Sequence, residues 1–121
     1  MPRSSPDPES LLPLSAATFH ILLALADAER HGYAIMQEVA ERTDGSVKLG
    51  PGTLYGSLKR LLEQGLVEES GERADPTLDD ERRRYYRITR YGVAVARAEA
   101  RRLEELVLAA RRKKLIGRAT A

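Results

Sequence analysis

The chain has 121 residues, with 20 Lys+Arg against 18 Asp+Glu and neither Cys nor Trp. That length predicts one domain, able to bury roughly two thirds of the surface its unfolded chain exposes, and 42% hydrophobic with 31% charged residues is the balance of a soluble globular protein. The lack of cysteine excludes a disulfide scaffold, thiolate zinc sites and iron–sulfur ligation. No apolar run approaches the ~20 residues of a membrane helix, and no basic, apolar and small-residue leader opens the chain. A cytoplasmic protein without a membrane partner is therefore expected.

The Pro/Ser-rich opening predicts a disordered tail over residues 1–12. Ser15 is placed to cap a first helix, apolar at Phe19, Ile21, Leu22, Leu23, Leu25 and Ala26 and so central in the core. A polar connection, Asp27 to His31, leads to a second helix with Ile35, Met36, Val39 and Ala40 on one side, ending near Arg42. Thr43-Asp44-Gly45 supply turn chemistry, and Val47 and Leu49 alternate with Ser46 and Lys48 as a brief strand or extended segment.

Gly50 and Pro51 open a third helix, Pro51 being pre-set for the first helical position, and Gly65 closes it. Leu54, Leu58, Leu61 and Leu62 form its narrow apolar face. Leu66 to Glu69 reads as a strand, Gly71 to Glu81 as a long polar loop, and Arg84 to Thr89 as a second strand. Thr89 caps a last helix running to about Lys114. Its positions Ala96, Ala100, Leu103, Val107 and Ala110 are spaced 4, 3, 4, 3, the seam of a helix that pairs with another helix. Such a helix is about 36 Å long, more than three short helices can cover, so part of the seam, with Leu106 beside it, is expected to meet a second copy of the chain.

Helix, helix, turn, helix, strand, loop, strand, helix is the order of a winged helix-turn-helix, mainly α with a small β-hairpin. The expected division is a DNA-binding unit over 13–89, a dimerisation helix over 90–115 and a flexible tail over 116–121. In such a unit the third helix enters the DNA major groove and the hairpin flanks it. Opposite its leucines that helix offers Gly52, Thr53, Gly56, Arg60 and Glu63, flanked by Tyr55, Ser57 and Lys59. Two glycines are poor helix formers but let a backbone approach another molecule closely. Hydroxyls and the helix N-terminus can hold phosphate, and Lys59 and Arg60 can reach a base edge. Lys48 joins this set from just ahead of the helix. The plainer alternative is that Gly52 and Gly56 permit packing against a neighbouring helix.

Net charge is only +2, but its distribution is uneven. Arg82, Arg83, Arg84, Arg87 and Arg90 fall together, and from Arg97 onward eight basic residues face three acidic ones. Arginine forks onto phosphate oxygens, which points to double-stranded DNA as the partner. The hairpin loop is itself acidic, with Glu72, Asp75, Asp79, Asp80 and Glu81, so Arg82, Arg83 and Arg84 are assigned to DNA rather than the tip. Pairing of these arginines with the neighbouring acids is the competing reading.

The chain resembles the PadR-like transcriptional regulators. The matching residues are His31-Gly32-Tyr33-Ala34-Ile35, Gly52 to Leu58 with Arg60-Leu61, Gly65-Leu66-Val67 and Arg84 to Thr89, and the resemblance runs from about Pro13 to Lys114. It implies a winged helix with a C-terminal dimerisation helix, of the short, single-helix branch, in a family of mostly bacterial repressors released by small molecules. By position it carries DNA contact to Tyr33, Thr53 and Tyr55. Many members have Pro where this chain has Gly56, and the hairpin here is long and acidic.

His20 and His31 are the only histidines; without thiolates they predict no metal site, and no cofactor is expected. No nucleophile beside a histidine and no phosphate-binding glycine loop is present, so enzymatic activity is not expected. The expectation is a homodimeric repressor on an inverted-repeat operator, with an apolar small-molecule effector between the last helix and its dimer mate, at the alanine-rich seam near Ala96 and Ala100. A protein-interaction adaptor that reads no DNA is the rival from another class, and a different winged-helix regulator family the rival within this one.

Overall fold

The computed structural model describes residues 5–77 and 79–117. Helix α1 spans Ala16–Ala26, strand β1 Arg30–His31, α2 Gly32–Arg42, α3 Pro51–Glu63, β2 Val67–Asp75, β3 Asp79–Ile88 and α4 Arg90–Arg112. Each cap read from the sequence forms. Ser15 Oγ accepts from the Thr18 amide, Thr89 Oγ1 from the Gly92 amide, and Pro51 opens α3 behind Gly50. Gly65 ends α3 at φ +75, a conformation glycine adopts without strain.

The core lies where α1 meets α2, α3, α4 and β3. Ile21, Leu22 and Leu25 of α1, Ile35 and Val39 of α2, and Leu54, Leu58 and Leu61 of α3 are its centre, closed by Leu66, Val67, Tyr86 and Val95. Each fully buried leucine contributes about 1.5–3 kcal/mol relative to exposure, so the leucine face fixes which side of α3 turns inward and which is left to solvent. The sheet order is β1-β3-β2, antiparallel throughout.

Three expectations are corrected. The long polar loop at 71–81 is mostly ladder: Glu72 pairs with Arg84, Arg73 with Arg83 and Ala74 with Arg82. Both faces of this ribbon are polar, so it lacks the alternation by which a strand is recognised, and the backbone ladder holds it with one opposite-charge pair, Glu72 with Arg84, and one like-charge pair, Arg73 with Arg83, directly across it. The polar connection ends in β1, whose two residues pair with Tyr86 and Tyr85. Val47 and Leu49 form no strand; both are half-buried against the core, and the Val47 amide donates to Thr43 Oγ1.

Residues 5–12 of the stretch expected as a tail are also ordered. Pro8–Leu11 make a 3-10 turn capped by Asp7, which packs on α4. Leu11, Leu12 and Leu14 lie against the core. Tyr91 Oη donates to the Pro6 carbonyl at 2.8 Å, and the Leu14 amide to Glu99 Oε2 at 3.1 Å. Glu99 is 2% exposed, and its carboxyl is held below the usual carboxylate range by the Arg102 guanidinium and the Leu14 amide, against the effect of burial. The buried carboxylate on the far helix was invisible in a local pattern, so the tail had no visible partner. Residues 1–4 and 118–121 of the expected tails lie outside the described residues.

Candidate nucleic-acid interface

Helix α3 presents Gly52, Thr53, Tyr55, Lys59 and Arg60 to solvent, with Lys48 exposed just ahead of it. A Cβ built on Gly52 meets nothing within 4 Å, and one on Gly56 meets only the end of Arg60 at 3.9 Å. Neither glycine is needed for packing, so the reading that they admit a neighbouring helix of the same chain is set aside. Ser57 is corrected. It is 1% exposed, because it lies only about 60° around the helix from Leu54, on the inward side. Its hydroxyl accepts from Arg60 Nη2 at 3.3 Å, so it orients Arg60 instead of facing outward.

Beside α3 the wing, β2 and β3, closes a cleft of 220 Å³ lined by Gly32, Tyr33, Tyr55 and Arg82 to Arg84, with one carboxylate, Glu81, also in its lining. Tyr55 is half exposed and its ring rests on Gly32, where an added Cβ would lie 2.8 Å from Cζ. The Arg83 guanidinium sits 5.8 Å above the Tyr33 ring. Two phenols and three guanidinium groups at one mouth can receive an anion by hydrogen bonds and charge together.

The wing arginines are also engaged within the wing. Arg82 Nη2 donates to the Glu72 carbonyl at 2.6 Å, Arg84 pairs with Glu69 at 3.5 Å, and Arg83 lies 3.9 Å from Glu81. Arg87 pairs with Glu68 at 2.7 Å. These contacts bear out the competing reading of the Arg run in part. They are exposed or rim pairs in water, individually worth little, so a phosphate can exchange with them.

Two residues that sequence reasoning missed hold this arrangement. His31 caps α2: its Nδ1 accepts from the Ala34 amide at 3.1 Å, while Nε2 meets Asp75 Oδ2 at 2.8 Å. Asp75 is drawn down to about 2 by the Thr77 hydroxyl, by His31 and by the Thr77 amide. His20 is half-buried, bonded through Nδ1 to Arg42 at 3.1 Å. A histidine ahead of a helix is a capping signal of the same kind as Ser15, but the partner 44 residues away had no local mark.

A family model described as the transcriptional regulator PadR-like family matches residues 21–98. The chain belongs to the PadR-like family of transcriptional regulators. Transcriptional regulator Rv3488 of Mycobacterium tuberculosis is 39% identical over 92 residues, 76% of this chain and 79% of that protein. A PadR family transcription regulator from Clostridium difficile shares the fold at a TM-score of 0.68 and 23% identity, covering 81% of this chain and 97% of that one. RosR from H. salinarum is similar at a TM-score of 0.55 and 28% identity, covering 90% of this chain and 84% of that one. This PadR-like chain is a DNA-binding transcriptional regulator with a winged-helix fold.

In this PadR-like regulator the residues expected at a dimer seam are covered only in part by the chain's own body. Ala96 and Leu103 are half-buried, Ala100, Leu106 and Val107 exposed, and Ala110 half-buried near the end of α4. Between α1 and α4 an apolar groove of 310 Å³ is lined by Phe19, Leu23, Val93, Ala96 and Ala100, with Arg97 at its edge. Among the described residues no cluster of three metal-ligating side chains occurs, and no helix is long and apolar enough to cross a membrane.

Proposed function

We propose that this PadR-like regulator is a homodimeric repressor that reads an inverted-repeat operator through α3, released by a small apolar molecule. The observation that carries the reading is the solvent-facing side of α3, where Gly52, Thr53, Lys59 and Arg60 lie exposed and a Cβ on Gly52 meets nothing within 4 Å. Thr53 and the first turn of α3 are placed for phosphate, Arg60 and Lys59 for base edges or backbone, and Tyr33, Tyr55 and Arg82 to Arg84 for the flanking strand. Lys48 extends the set at the head of α3.

Two copies join along Ala96, Ala100, Leu103, Leu106, Val107 and Ala110, with help from α1. A two-fold axis there sets the two α3 helices about 34 Å apart, one turn of DNA. Val107→Glu places a charge in the seam, and sedimentation should then find a monomer; a dimer unchanged by it would move the interface elsewhere. An apolar effector would sit on this seam, between α4 and its dimer mate near Ala96 and Ala100 where the groove beside α1 opens, and change the spacing of the two α3 helices; thermal-shift screening against the protein would reveal such a compound.

The test of the reading face is Arg60→Ala with a duplex selected from a random pool. Affinity is expected to fall by about 1–3 kcal/mol with relaxed preference at one base position, and wild-type binding to weaken linearly in the logarithm of salt. Unchanged affinity and preference would show that α3 does not read DNA. An adaptor that binds protein would show no such salt-dependent retention on duplex.

A further inference from the structure

We propose that the His31–Asp75 hydrogen bond is a clasp that positions the wing beside α3, so that Asp75, an acid on a DNA-flanking hairpin, strengthens DNA binding. The proposal rests on the DNA-binding reading of α3 and the wing. A two-stranded ribbon is marginal on its own, and β1 pairs with β3 only at Tyr85 and Tyr86, near the wing's base. Farther out the wing meets the body through the Arg83 guanidinium above the Tyr33 ring and through two further side-chain ties. One is Arg73, which pairs with Glu29 and lies 3.7 Å over the Tyr85 ring. Arg73 and Glu29 are each 41% exposed, so water screens that pair. The other is the clasp, with the His31 side chain 2% and the Asp75 side chain 17% exposed.

The atoms of the clasp are all committed. Because Nδ1 accepts from the Ala34 amide, a neutral imidazole carries its proton on Nε2, and Nε2–H donates to Asp75 Oδ2. One ring thereby caps α2 and holds the wing. The other carboxylate oxygen, Oδ1, accepts from the Thr77 amide at 2.9 Å and its hydroxyl at 2.6 Å, tying the carboxylate to the turn. The ladder register shifts between Glu69 and Gly71 and again between Ala74 and Asp75, and Gly71 has φ +126. Such bulges bend a strand and re-aim a side chain; here they bring Asp75 back to the start of α2. Tyr85 meets His31 edge-on at 5.2 Å and closes its flank. Holding Asp75 holds the opposite strand, where Arg82 to Arg84 line the cleft with Tyr33 and Tyr55. DNA then meets a wing already in place, without the cost of ordering it.

The sign of the effect separates this from simple charge. Removing a carboxylate near DNA ought to tighten binding by relieving repulsion. Asp75→Ala is instead expected to raise Kd about tenfold for a selected duplex at fixed salt. Asp75→Asn, which keeps one acceptor oxygen for Nε2–H but turns its amide nitrogen towards the Thr77 amide, should lose less affinity than Asp75→Ala. In the free protein, amide exchange at 82–84 should rise in Asp75→Ala and rise less in Asp75→Asn. Tighter or equal binding by Asp75→Ala, or unchanged exchange in it, would overturn the clasp. If the wild type held no duplex, the DNA reading of the site would fall, and exchange alone would decide the clasp.

Discussion

Gly92→Ala is expected to destabilise the fold by about 2–4 kcal/mol, lowering Tm by on the order of 10 °C. Gly92 is buried in the first turn of α4, where the helix crosses the turn between α3 and β2. A Cβ there would collide with the Leu66 carbonyl oxygen and lie 2.8 Å from Ile88 Cγ1 and 3.0 Å from the Leu66 carbonyl carbon. The obstacle is backbone and cannot swing aside. That carbonyl also accepts from the Thr89 amide at 3.1 Å and from Thr89 Oγ1 at 3.1 Å, so moving it strains the cap of α4 as well. Alanine is the better helix former by about 1 kcal/mol, so the collision must exceed that gain before any loss appears. Domains of this kind have about 5–15 kcal/mol in total, which makes the predicted loss a large share. A thermal melt unchanged by the substitution would mean that α4 can shift off the turn at little cost.

Gly56→Ala should move stability and binding in opposite directions. On α3 the added methyl meets only the flexible end of Arg60 at 3.9 Å, so the free protein gains about 1 kcal/mol of helix stability. With α3 in the groove as proposed, the same methyl would stand at the contact with DNA, and overpacking there costs about 1–3 kcal/mol, or roughly tenfold or more in Kd. Melting and duplex titration on the same preparation read both signs. A variant that is both more stable and equally tight would place the closest approach to DNA elsewhere on α3. The contrast with Gly92 is physical. One glycine makes room for the chain itself, and the other leaves room for something the chain does not contain.

Much of this fold was readable in local patterns. Ser15 and Thr89 announced helix starts because a hydroxyl before an apolar periodic run satisfies amides that no helix can satisfy itself. The leucines of α3 set its inward face, and with it the outward placement of Gly52, Thr53, Tyr55, Lys59 and Arg60. Ser57 was misjudged because a helical wheel read from composition treats a small polar residue as outward, whereas its angle beside Leu54 and Leu61 decides. The wing was read too short because Glu72, Arg73, Arg82 and Arg83 alternate no polarity, and their pairing is carried by the opposite strand.

What remained hidden shares one property: each case depends on contacts between residues distant along the chain. Glu99 gives the N-terminal segment a reason to be ordered only once α4 lies beside Leu14. Gly32 and Gly92 look like ordinary helix-start glycines until Tyr55 and the Leu66 carbonyl arrive above them. His31 looks like a lone histidine until two bulges bend β2 and deliver Asp75. Helix starts, stops and buried faces follow from neighbours within a turn or two, whose geometry the backbone itself imposes. Which carboxylate meets which imidazole, and which glycine must stay bare, follow only from how the helices and wing pack, since the chain holds no short-range record of those encounters.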